Sequence, residues 1–424
     1  MEAGGSPGRP PSSTTSGELS TDELVTELPD NLLFHGNAPW AGTGYGQQAG
    51  INGMRIAKLG YNVAFSAFFG LKGSRHVWPA PDGTVFPVYP GGVDAHGNDV
   101  LGGHAKHWFA GRGGIVLALT DPWVLHPDIA MRLPLVMWSP VDHDPLIPGT
   151  DKWFKKTGAI PVAMSKFGKR VLEEAGHENV QYVPHSFDPD VFKPRNRVES
   201  RRALGIPQSA FVVGMVAANV GQPGRKSFTQ AFEAFSIFSK RFPDALLYLH
   251  TKLEDDRGED LPGMIKGMRI RAQACDQYGL MLGIPTSVMA ATHSAFDVLL
   301  NPSMGEGFGC ALMEAQACGT PVISTNFSSM PEVAPVSAGN WTVGGQSTWT
   351  YWGSKQVTPS VDEIVNALVE AYEQSEVDRQ ACKESVWRWV NSEYRADDVV
   401  PQYWTPTLQH ATEEFAWRKQ LLVR

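Results

Sequence analysis

Glu306 and Glu314 flank a glycine-rich turn, with Gly305, Gly307 and Gly309 crowded around the first of them. Glycine leaves the backbone uncovered, so a ligand can come close to the amides. The residues from about Cys310 to Cys318 predict a short helix, stopped by Gly319 and by Pro321. The first N–H groups of a helix have no partner inside it and lie at its positive end, which suits a phosphate. A carboxylate suits the opposite kind of group. It accepts hydrogen bonds from hydroxyls, which sugars and riboses carry in pairs. Helix-start donors flanked by two carboxylates fit a ligand with a diphosphate centre and a polyol at each end.

Arg225 and Lys226 stand at a second place of this kind. The run 210–218 reads as a buried parallel strand, 219–224 as a turn, and the residues that follow as a helix. Phe228, Ala231, Phe232, Phe235 and Phe238 recur on one face of that helix. A cation at a helix start opposes the dipole, which favours a functional reason for the pair. Arg forks onto a diphosphate, while Lys supplies a compact charge.

These residues need a scaffold. Residues 296–302 and 321–325 read as strands on either side of the glutamate turn, which makes a right-handed crossover in a parallel sheet. Ligands of such sheets sit beyond the carboxyl ends of the strands, where the turn lies. Alternating strands and helices recur from residue 31 to residue 185, so a further doubly wound unit is expected there. Within it, 71–113 is rich in Gly, Pro and Asp and reads as hairpins or long loops. The expected organisation is a disordered tail over 1–28, doubly wound units over 29–188 and 189–394, and a last segment over 395–424.

The Glu306–Glu314 spacing resembles the Glu-x7-Glu signature of retaining GT-B glycosyltransferases of family four (glycosyl transferases group 1). That resemblance implies an α/β fold of GT-B architecture, with two doubly wound Rossmann-like domains facing across a cleft: an N-terminal acceptor domain over 29–188, a C-terminal nucleotide-sugar donor domain over 189–394, and the 395–424 segment crossing back to the N-terminal domain. It implies that Glu306 holds the donor sugar, that Glu314 holds the nucleotide ribose, that backbone amides around Phe308, Gly309 and Cys310 face sugar and diphosphate, and that Arg225 and Lys226 neutralise the departing diphosphate. In many family members those two cations are farther apart than here. His185-Ser186 stands where the family's interdomain linker usually has Asn-Gly. The family's other route into the cleft is the loop after the first strand. Here that loop is Gly42-Thr-Gly-Tyr-Gly46, and Gly44 is its expected donor contact.

Asp142-His143-Asp144 has two readings. One is a metal-binding Asp-x-Asp, as in GT-A enzymes. The other is a cleft loop in which Asp142 or His143 touches the donor sugar, as a His does in the resembled family. The metal-free reading is preferred, because the other elements already supply charge for the phosphates. His104 and His107 have zinc-like spacing but no third ligand nearby, so they read as surface histidines. Residues 254–260 read as a solvated acidic loop, and Ser165 as a helix N-cap.

Composition narrows the class. The 424 residues are 42% hydrophobic and carry a net charge of −8, which argues against a general nucleic-acid binder. Thirteen Trp is a high count; most fill cores, although Trp also stacks on sugars. Cys275, Cys310, Cys318 and Cys382 include no Cys-x-x-Cys pair and suit reduced thiols of a cytoplasmic protein. Cys310 reads as a small residue beside the site, not as a nucleophile. No run reaches the length of a membrane span, and the Gly-, Pro-, Ser- and Thr-rich stretch from Met1 to about Ser20 lacks the apolar core of a signal peptide. The expected partners are a nucleotide-sugar donor as co-substrate and an acceptor that is a glycan, a small glycoside or a protein. No cofactor and no metal are expected. The Gly-rich 71–113 region is similar in composition to actinobacterial and bacteriophage members. The alternatives are another enzyme of this fold, an epimerase or phosphorylase, and a sugar- or nucleotide-binding module without catalysis.

Overall fold

The computed structural model describes residues 31–222 and 224–422. The tail expected over 1–28 lies outside them. Two sheets dominate. The first contains β1 (Asn31–Asn37), β2 (Asn62–Phe69), β3 (His76–Pro79), β4 (Val85–Tyr89), β5 (Ile115–Leu119), β6 (Leu135–Ser139), β7 (Ile160–Ala163) and β8 (Gln181–Tyr182). Their order is β3-β4-β2-β1-β5-β6-β7-β8, parallel except where β3 pairs with β4. The second contains β9 (Phe211–Val216), β10 (Ala245–His250), β11 (Ala272–Ala274), β12 (Val298–Asn301), β13 (Val322–Thr325) and β14 (Trp341–Val343). It is all parallel, in the order β11-β10-β9-β12-β13-β14. A separate antiparallel hairpin, β15 (Gly345–Trp349) with β16 (Lys355–Pro359), follows β14.

Each sheet reverses its order once, between β1 and β5 and between β9 and β12. Crevices open beyond the carboxyl ends of the strands at such reversals. The inner strands β1, β5, β6, β7, β9, β10, β12 and β13 are buried along nearly their whole length, as parallel strands covered on both faces must be. The helix Phe228–Arg241 shows why a sequence of this pattern docks: Phe228, Ala231, Phe232, Phe235 and Phe238 are all at most 1% exposed. Each Phe contributes about 1.5–3 kcal/mol by leaving water.

The chain passes between the sheets twice, and the two passages are bonded to each other. Phe187 N–H donates to Tyr394 O and Ala396 N–H to Phe187 O, both at 3.0 Å. Beyond Ala396 the chain lies against the first sheet. Trp404 is fully buried edge-on to Trp138 of β6, with ring centroids 5.0 Å apart, and donates to Asn52 Oδ1 at 2.8 Å. Among the described residues, no helix is long and apolar enough to cross a membrane.

Three expectations need correction. The 71–113 stretch is not only hairpins and loops: Leu101–Phe109 is a helix, and β4 joins the main sheet. The weak helix formers Gly102 and Gly103 hid it, and its burial of Leu101 and Ala105 supplies what propensity lacks. His104 is not a surface residue: it is half-buried, with Nδ1 3.0 Å from Ser66 Oγ, and Ser66 Oγ is 3.0 Å from the buried His35. Residues 254–260 are not simply solvated, because Asp260 caps the helix Leu261–Met268 and Glu259 accepts from Thr229 Oγ1 at 3.0 Å.

One buried ion pair ties the second sheet to the helix Arg197–Ala203. Arg201 and Asp297 are almost fully buried; Arg201 Nη2 donates to Asp297 Oδ2 at 2.8 Å, and Val212 N–H reaches the same oxygen at 2.7 Å. Asp297→Ala would leave a buried guanidinium without its counter-charge. It is expected to cost about 3–5 kcal/mol, read as a lower urea midpoint; a loss under 1 kcal/mol would contradict this role for the pair.

Candidate functional site

The loops that follow β1, β5, β6, β7, β9, β10 and β12 converge on one cavity of about 850 Å³. The topology thus places carboxyl-end loops of both sheets around a single space. All eleven site residues expected from the sequence line it: Gly44, Asp142, His143, Arg225, Lys226, Glu306, Gly307, Phe308, Gly309, Cys310 and Glu314.

Glu306 sits at its centre. It is 5% exposed, and its carboxylate is shared between the two cations. Lys226 Nζ donates to Oε1 at 2.5 Å and Arg225 Nη1 to Oε2 at 3.1 Å. The same Arg225 nitrogen donates to Gly305 O, and Arg225 Nε lies 3.7 Å from Asp142 Oδ2. Burial pushes the Glu306 carboxyl up, but Lys226 and Arg225 outweigh it and hold the group at about 2. Ser328 accepts from Glu306 N–H at 2.9 Å, and Ser329 Oγ donates to the carbonyls of Glu306 and Phe308 at 2.9 Å.

The glycines do something other than expected. A Cβ on Gly305 would lie 2.3 Å from Asp142 O, and one on Gly307 2.5 Å from Pro140 Cβ. The loop after β6 therefore presses on the glutamate turn, and these glycines admit the opposite half of the protein rather than a ligand. Gly309 has φ +95° and starts the helix Cys310–Ala317 without a side-chain cap. Phe308 is 2% exposed, its ring packed edge-on against His185 and Tyr394. Glu314, inside the helix and 6% exposed, faces His293 Nε2 at 3.5 Å. Burial, with Glu314 and Glu306 nearby, pushes the Cys310 thiol far above the usual thiol range, so it stays protonated.

Asp142 and Asp144 diverge. Asp142 Oδ1 lies 2.6 Å from His143 Nδ1, whereas Asp144 Oδ2 accepts from Arg170 at 2.8 Å and does not line the cavity. The structure brings the two carboxylates to different cations, not to one point. Gly46 also lies off the cavity: the helix begins at Gly44, with Thr43 accepting from Gly46 N–H at 3.0 Å. Ser165 is the expected N-cap, accepting from Gly168 N–H at 3.0 Å.

Several lining groups escape a reading of the sequence. His143 Nε2, His185 Nδ1, His250 Nδ1 and Thr251 Oγ1 are buried without a hydrogen-bond partner among the described residues. Buried polar atoms of that kind carry a desolvation cost that a ligand can relieve. Lys252 and Arg257 also line the cavity, each bridged to Asp255 at 3.2 Å. Asp121, just beyond β5, is the least visible of them. Burial, reinforced by Asp142, pushes its carboxyl up to about 7.

Comparison with known proteins agrees with this geometry. The glycosyl transferases group 1 family matches residues 212–347. This chain carries a glycosyl transferases group 1 domain. A D-inositol 3-phosphate glycosyltransferase of Stackebrandtia nassauensis is 27% identical over 153 residues, 36% of this chain and 34% of the relative. One from Mycobacterium sp. (strain KMS) is 30% identical over 171 residues, 38% of this chain and 35% of the relative. The chain spans about a third of the length of these curated relatives. Sucrose-phosphate synthase from Thermosynechococcus elongatus superposes with a TM-score of 0.66 at 14% identity, over 93% of this chain and 99% of the other. Anabaena HepE in complex with UDP and glucose gives 0.63 at 16%, over 90% and 99%. The fold is therefore GT-B, and the group 1 domain contributes the β9, β10 and β12 loops to its cleft.

Asp121 makes a pH prediction. Below about pH 4 its carboxyl is protonated in the folded and unfolded chain alike; between about pH 4 and 7 only the folded chain keeps the proton. Its contribution to stability is therefore lost as pH rises through that window. Asp121→Asn is expected to stabilise the protein at pH 8 by about 1–3 kcal/mol and to leave it unchanged at pH 4, measured by thermal unfolding at both. Equal effects at the two values would contradict the raised carboxyl.

Proposed function

We propose that the chain is a glycosyltransferase that moves a sugar from a nucleoside diphosphate sugar to an acceptor hydroxyl, with retention and without a metal ion. The observation that carries this reading is Glu306, a buried carboxylate with two cations beside a helix start, in one cavity with Glu314. Arg225 and Lys226 turn to the diphosphate, and Glu306, released from them, accepts hydrogen bonds from sugar hydroxyls. Glu314 takes the ribose. As the bond from the anomeric carbon to the phosphate oxygen breaks, negative charge grows on the diphosphate. The cations and the helix dipole are already aimed at it. The acceptor oxygen bonds to the same carbon, and its proton passes to the leaving phosphate oxygen. No lining carboxylate is needed as a nucleophile, which favours a front-face route and retention.

UDP-glucose is the first donor to test, because the Anabaena neighbour is solved with UDP and glucose. The four cysteines are free, which suits a reducing cytoplasm. The acceptor is a glycan, a small glycoside or a protein.

Incubation with UDP-, GDP- and ADP-sugars should release the nucleoside diphosphate from at least one of them. Glu306→Gln is expected to lower kcat by about 100-fold or more with UDP binding retained, and Lys226→Ala to weaken UDP binding by about tenfold. Release from no donor, or parent rates in both variants, would refute the assignment.

A further inference from the structure

The mouth of the cleft carries aromatic rings that the chemistry at Glu306 does not use. The β15–β16 hairpin reaches from the second sheet to the loop after β6. Asp144 and Lys355 exchange backbone hydrogen bonds of 3.2 and 3.3 Å, and Ser354 Oγ donates to Pro145 O. At the hairpin tip, Trp352 lies 5.5 Å from Trp123, a residue of the loop after β5, and Tyr351 lies 4.4 Å from Trp352, centroid to centroid. Trp123 and Trp352 both line the cavity, and each keeps 40% of its surface in water. Tyr351 is 87% exposed and Trp349 62%.

Rings of this size gain by leaving water, yet the hairpin holds them out beside the cleft. Their occupant must offer apolar faces in a polar setting. The neighbouring strand presents Gln346, Ser347 and Thr348 to solvent, which are neutral hydrogen-bonding groups. The hairpin carries a single cation, Lys355, whose Nζ lies 4.9 Å over the Trp349 ring; a polyanion would call for several, and a lipid surface for a continuous apolar face. A chain of sugar rings offers C–H faces to aromatic rings and hydroxyls to the polar strand. Trp123 and Trp352 line the cavity that holds Glu306, and Tyr351, packed on Trp352, does not, so the ring cluster extends beyond the cavity.

We infer that Trp123, Trp352 and Tyr351 form a platform that holds an oligosaccharide acceptor, its reacting end toward Glu306 and its remaining rings across the hairpin tip. The inference rests on the glycosyl-transfer reading and narrows its acceptor to a carbohydrate of more than one ring. Saturation-transfer NMR on the full chain, with UDP present, tests it against maltotriose, cellotriose and chitotriose. At least one trisaccharide should bind the parent, and Tyr351→Ala and Trp352→Ala should weaken it at least tenfold, with Trp352→Phe retaining most of it. The UDP signal, unchanged in the variants, reports an intact fold. Trisaccharide binding that ignores the rings, or no binding of any trisaccharide, overturns the platform. Absence of a UDP signal from the parent would instead count against the proposed donor, whatever the sugars do.

Discussion

A carboxylate taken out of water needs a counter-charge, and the shared hold of Arg225 and Lys226 on Glu306 is the constraint on which this site depends. The three residues come from loops after β9 and β12, neighbours at the point where the second sheet reverses its order. Neither loop could bury its charge alone. Ser328 and Ser329 fix the backbone of the turn, so the carboxylate has little freedom except to exchange one set of partners for another. A diphosphate for the cations and hydroxyls for the carboxylate is an exchange that leaves every group satisfied.

The second constraint is the contact between the two halves. Gly305 and Gly307 allow the loop after β6 to close on the glutamate turn, which brings Asp142 and His143 to the rim of the same space. Asp142 then does two things at once: it adds negative charge near Arg225, and it adds to the burial that raises the carboxyl of Asp121. The Asp144–Lys355 bridge and the Trp123–Trp352 contact join the halves at the mouth, and the Phe187–Tyr394 and Phe187–Ala396 hydrogen bonds join them at the base.

Much of this was legible in the residues. The β12–helix–β13 unit, the phenylalanine face of 228–241 and the positions of Glu306, Glu314, Arg225 and Lys226 follow from local patterns of two or three dozen residues. What stayed hidden depends on distant pairings. Asp121 looks like any turn aspartate until Asp142 is placed beside it. Arg201 and Asp297 are far apart in sequence and carry no local signal of their partnership. Lys252 and Arg257 were masked by the acidic residues around them. The glycines were recognised as necessary but for the wrong neighbour, because nothing local shows that a loop from the other sheet arrives at Gly307. The β15–β16 hairpin, with its polar exposed strand, has no core pattern to announce it.

The most direct measurement of the central claim is a crystal structure of the protein with UDP. The account predicts the diphosphate within hydrogen-bond distance of Arg225 and Lys226 and at the start of the helix Cys310–Ala317, the ribose hydroxyls on Glu314, and Glu306 freed from at least one cation. A diphosphate bound away from that helix start, with Glu306 still gripped by both cations, would contradict it.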